Sequence, residues 1–193
     1  MIILWILVGL VGISAVWGFF SGGSSTAHTT SGMRTSDEAI RRNNVSLHAA
    51  TSSSSLVSKL QDLSKQGYNL CFDDEVLLEN PDLLSQLNEN VRVSVSKDVL
   101  DSIEGYSKSS KYAFAVKQIM AIFTSRPDKK ICQFDDLYAA STDLSPDKLS
   151  DRIVGAYYFD QKSNLHYNLL VTKRLELCHL AERIGLKALY VEY

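Results

Sequence analysis

The chain has 193 residues, 20 of them Lys or Arg and 22 Asp or Glu, for a formal charge of −2. That length suits one ordinary domain with appendages, and the charge rules out the global basic field of many nucleic-acid-binding chains, leaving room only for a local patch. Three scattered cysteines (Cys71, Cys132, Cys178) form no CxxC pair, which argues against a disulfide frame or a zinc site and for buried thiols in a reducing compartment.

The first element is apolar. Residues 2–20, "IILWILVGLVGISAVWGFF", carry no charge, and as a helix such a run reaches about 30 Å, the thickness of a bilayer core. Trp5 and Trp17 stand near its two ends, where amphipathic rings favour the membrane interface. Residues 1–22 are therefore expected to form a single transmembrane helix. The alternative is a cleaved signal peptide with a site near Ser21-Gly22-Gly23, but no basic residue precedes the run. Arg34, Arg41, Arg42, Lys59 and Lys65 all follow it. The positive-inside bias then puts the N-terminus outside and the bulk of the chain in the cytoplasm, on an inner or plasma membrane.

Residues 23–55 are rich in Ser, Thr, Gly and Ala and end in "TSSSS", a composition that buries too little surface to offset chain entropy and predicts a flexible linker. Residues 56–193 read as a packed domain. Leu56, Leu60 and Leu63 recur at helical spacing, Gly67 ends that segment, and Tyr68 to Phe72 is a candidate strand. Pro81 opens a short helix, "PDLLSQLNE". Val91, Val93 and Val95 alternate as a second strand, and Ser96 caps a helix carrying Val99, Leu100 and Ile103. A longer helix covers Tyr112 to Phe123 and is broken by "SRPDKK"; Ser145-Pro146 starts the next. "YNLLVT" is a buried strand, "RLELCHLAERIG" an amphipathic helix with Gly185 at its C-cap, and "KALYVEY" a last strand. Strands separated by helices predict an α/β fold: a parallel β-sheet sandwiched by helices, a Rossmann-like three-layer arrangement. The ligand site of such folds lies at the carboxyl ends of the strands, which places Asp73 and the residues just after Val95 and Val171 at one rim.

Three stretches together resemble the PIN domain family of metal-dependent ribonucleases. "CFDDEVLLENPDLL" is similar to the opening strand and its acid, with Asp73 in the acidic position. "VSVSKDVLDSIEGY" resembles the second strand and helix, and "LSDRIVGAYYF" with "NLLVTKRLELCHLAERIGLKALYVEY" the closing half. The resemblance implies a PIN-like fold over roughly Tyr68 to Tyr193, Mg²⁺ or Mn²⁺ as cofactor, and RNA as substrate. Hard divalent ions need several converging oxygens, which activate water and stabilise the leaving oxygen of a phosphodiester. Here the pattern departs from the family. The second acid falls on Ser102, with Asp101 and Glu104 beside it; the third falls on Ser150, with Asp151 next to it; the last falls on Arg174. A shift of one residue turns a helical side chain by about 100°, and Arg174 puts a permanent cation where a metal would sit.

Two readings follow from the resemblance. In one, catalysis is lost, Arg174 pairs with Asp73, and the domain binds RNA or protein. In the other, a rebuilt site uses Asp73, Asp101 and Asp151 as catalytic acids and Asp73, Asp74 (or Glu75) and Asp151 as metal ligands, with Arg174 on phosphate. Glycine-loop nucleotide motifs, zinc spacings and a GxSxG elbow are lacking in the sequence. Tyr157, Tyr158 and Phe159 are expected in the core rather than as a base-stacking platform, and Asp74, Glu75 and Glu79 in a solvated loop.

Overall fold

The computed structural model describes residues 49–50 and 53–192. The expected membrane helix (1–22) and most of the expected linker (23–55) lie outside the described residues, among which no helix is long and apolar enough to cross a membrane. A two-residue strand, β1 (Ala49–Ala50), precedes α1 (Ser53–Lys65), so described elements already lie ahead of the expected domain boundary at Leu56. Then follow β2 (Tyr68–Phe72), α2 (Asp74–Glu79), α3 (Leu83–Gln86), β3 (Val93–Ser96), α4 (Lys97–Gly105), a 3₁₀ turn (Tyr106–Lys108) and α5 (Ala113–Ser125). The chain closes with β4 (Lys129–Cys132), α6 (Asp136–Ala139), α7 (Leu149–Asn164), β5 (Tyr167–Thr172), α8 (Leu175–Ile184) and β6 (Lys187–Glu192).

Five strands pair in parallel in the order β6-β5-β2-β3-β4, and β1 extends the sheet beside β6. The chain runs outward from β2 through β3 to β4, then returns past β2 to lay β5 on its other side. The loops leaving β2 and β5 therefore diverge, and the crevice between them is the switch point of a doubly wound sheet. All of β3 and most of β2 and β5 are buried, which requires cover on both faces of the sheet. Helix α7 packs on β3, β4 and β5 and against α8, which lies over β5 and β6, while α1 lies against β2.

The two faces differ in chemistry. In-register neighbours of a parallel sheet share a face, so Leu70, Phe72, Val93, Val95, Leu169 and Val171 make one apolar surface. The other surface carries Asn69, Cys71, Ser94, Ser96, Asn168 and Thr172, all buried. Tyr157 of α7, fully buried, serves that polar side: its hydroxyl donates to the Phe72 carbonyl (2.5 Å) and accepts from the Ser96 amide (2.9 Å). Tyr157 and Phe159 are core residues, as expected, with Tyr158 partly buried beside them.

Four local readings need correction. The acid run after β2 is not a loop: Asp73 caps α2, Asp74 and Glu75 occupy its first turn, and Asp74 is buried. Carboxylates there meet unpaired amides and the positive end of the helix. The helix expected from Pro81 shrinks to the four residues of α3. Helix α7 starts at Leu149 rather than Pro146, because Asp151 in its first turn accepts the Ser145 amide (2.7 Å) and holds the preceding segment as a turn. The "SRPDKK" break contains the start of β4, an edge strand exposed enough to tolerate two lysines.

Candidate functional site

The carboxyl rim gathers side chains from β2, α2, α4, β5 and the start of α8. Asp73 ends the buried run of β2 and is itself inaccessible to solvent. Its Oδ1 accepts the Val76 amide (2.9 Å) in an N-cap bond, and its Oδ2 accepts the Thr172 hydroxyl and faces Arg174 Nε at 3.5 Å. Arg174 reaches on to Asp74, with Nη2 2.8 Å from Oδ1, and the Ser102 hydroxyl donates to the other Asp74 oxygen (2.6 Å). Thr172 also accepts the Arg174 amide (3.0 Å), which fixes the turn that aims the guanidinium inward. Tyr157 braces the rim from beneath through the carbonyl just before Asp73 and the amide of the α4 cap.

Burial pushes the Asp73 carboxyl up to about 6, against the downward pull of Thr172, the Val76 amide and Arg174; the neighbouring charge of Asp74 adds to the rise. The group is thus tuned near neutrality, but no face of it is open to a substrate.

Asp73, Asp74 and Arg174 come together. Asp101 is exposed on α4 and pairs with Lys97 one turn back (2.7 Å), and Asp151 is spent on the Ser145 amide. Two further acids nearby are also paired, Asp98 with Arg152 (2.7 Å) and Glu79 with Lys173. Among the described residues no group of three or more His, Cys, Asp or Glu side chains is placed to hold a metal ion. A divalent ion at Asp73 and Asp74 would have to displace Arg174, and it demands near-octahedral oxygen ligands at about 2.1 Å.

Ser102 and Thr172 are the partners that reading for acids overlooks. Both stand at positions the strand and helix register marks, and only their hydroxyl chemistry turns attention away from them. The three cysteines are buried and free. Burial pushes the Cys132 and Cys178 thiols up to about 12 and Cys71 well above its ordinary value, so none is poised as a nucleophile.

Comparison with known proteins gives no matching family model and no matching curated protein.

Proposed function

We infer that the chain is a membrane-tethered, PIN-like α/β domain whose metal site has been replaced by an ion-paired lock, and that it works as a protein-binding scaffold in the cytoplasm. The single observation that carries this reading is Arg174, which bridges Asp73 and Asp74 at the switch point where a metal-dependent nuclease would gather its acids. An arginine is permanently charged and presents a rigid fork of donors, so it satisfies carboxylates in place of a cation and does not leave by deprotonation.

Protein is favoured over RNA by the state of the rim's cations. Lys97, Arg152, Lys173 and Arg174 each face an acid. Phosphate recognition depends on cations free to release counterions, and these four are already engaged. Residues 1–22 would hold the domain at the bilayer, where it meets its partner.

The test incubates the full chain in non-ionic detergent with single-stranded RNA and Mg²⁺ or Mn²⁺. The expected result is neither cleavage nor a mobility shift. Metal-dependent cleavage abolished by Asp73→Asn would overturn the reading in favour of an endoribonuclease with a rebuilt acidic site.

A further inference from the structure

At the opposite end of the sheet, a cleft of about 320 Å³ opens between the starts of β2, β3 and β4 and the loop leading into β5. Asn69, Arg92, Ser94, Lys129, Lys130 and His166 face it, and Asp128 is the one acid on its lining. Its cations are anchored from behind. Buried Asp160 accepts from Lys130, from His166 (2.8 Å), from Asn164 (3.0 Å) and from Asn168 (3.1 Å). Lys129 donates to the carbonyls of Thr124 (2.5 Å) and Arg126 (3.0 Å). Arg92 is exposed, and none of the hydrogen bonds or ion pairs among the described residues engages its guanidinium.

The floor supplies the second half of the argument. Asn168 Nδ2 is committed to the Tyr157 carbonyl (2.7 Å) and Asp160, so Asn168 must turn its Oδ1 to Asn69. That fixes the Asn69 amide: its Nδ2 donates to Asn168 Oδ1 (2.7 Å) and Ser94 Oγ (2.7 Å). Among the described residues Asn69 Oδ1 is left without a donor, although the residue is only 6% exposed. It is not sealed in the core, because among the described residues Arg126 Nε is the one fully buried side-chain polar atom lacking a partner. The free acceptor therefore opens into the cleft.

A lone acceptor below a mouth richer in cations than acids calls for a ligand with a hydroxyl donor at one end and a dianion at the other. We propose that the amino-rim cleft binds a small sugar phosphate, its phosphate between Arg92 and Lys129, whose charges face no carboxylate among the described residues, and a hydroxyl donating to Asn69 Oδ1. The volume lies at the small end of the roughly 300–1,000 Å³ of small-molecule sites, and clustered cations favour a phosphate over a singly charged carboxylate.

The test is calorimetric titration of the full chain in non-ionic detergent with ribose 5-phosphate, inorganic phosphate and ribose. Ribose 5-phosphate should bind saturably and at least about tenfold more tightly than inorganic phosphate, and ribose should give no heat. Arg92→Glu should weaken ribose 5-phosphate at least about tenfold without moving the unfolding midpoint, since the exposed guanidinium makes no hydrogen bond or ion pair among the described residues. Equal affinity for ribose 5-phosphate and phosphate, no binding at millimolar sugar phosphate, or an Arg92→Glu variant that binds as wild type would each overturn the proposal.

Discussion

Arg174 at the carboxyl rim and Arg126 at the amino rim are both drawn into the protein, but they satisfy their charge differently. Arg174 meets two carboxylates. Arg126 is buried without an acid against it and donates to four backbone carbonyls, those of Leu84, Leu87, Asn88 and Val91, at 2.7–3.2 Å. Burial lowers its pKa, with the charges of Asp128 and Glu89 pulling back, yet a guanidinium stays protonated throughout the range in which proteins fold. The first arginine closes a place where chemistry is expected; the second ties down the loop that brings the chain into β3. The difference teaches that a buried cation reports on function only through what it faces. Facing carbonyls, it is a clamp. Facing the acids of a switch point, it decides what the site can bind.

The largest effect that would break this comparison is at the clamp. Arg126→Ala strips four carbonyls of their donor and should cost about 3–5 kcal/mol in urea unfolding. Arg126→Lys should recover little, since an ammonium lacks the planar fork that reaches all four.

The carboxyl rim should respond to pH instead. Asp73 has its folded pKa raised from 3.8 to about 6. The folded chain therefore holds this proton more tightly than the unfolded chain, and the group lowers stability as pH rises from about 4 to about 6. The full penalty above that window is about 3 kcal/mol. Asp73→Asn removes the titration. Lowering the pH from 7 to 4 should then raise wild-type stability relative to the variant by about that amount. An unchanged difference in urea midpoints would mean that Arg174 holds the carboxylate ionised.

Tyr157 links the two ends, and its loss should come next. Tyr157→Phe leaves the Phe72 carbonyl and the Ser96 amide unpaired in the core, for about 2–3 kcal/mol. The smallest effect is expected at Asp101. Its partner Lys97 is exposed, as is Asp101 itself, so Asp101→Asn should leave both the unfolding midpoint and any binding unchanged.

The sequence carried the fold further than the site. Strand β2 was readable to its ends because a mostly apolar run, interrupted only by Asn69, lies between Gly67 and Asp73, and Gly67 takes a left-handed turn (φ +93°) that suits glycine. Helix α8 and its Gly185 cap followed from amphipathic spacing in the same way. Strand β4 was hidden because an edge strand needs little apolar character, and α2 because three acids in a row resemble a loop until one of them caps a helix. Of the site, the end of β2 marked Asp73, and the charge reversal at Arg174 was visible as a departure from the acid pattern. The bonds that complete it join residues 28 to 101 positions apart, such as Ser102 to Asp74 and Arg174 to Asp73. No local periodicity encodes such pairs, and the free acceptor at Asn69 depends on a chain of amides from three separate elements.

The central claim is that Arg174, and not a metal ion, satisfies the acids of the switch point. Calorimetric titration of the full chain with Mn²⁺ at neutral pH tests it most directly. Negligible heat, the same for wild type and Asp73→Asn, is the predicted result; saturable binding in wild type that disappears in Asp73→Asn would contradict it.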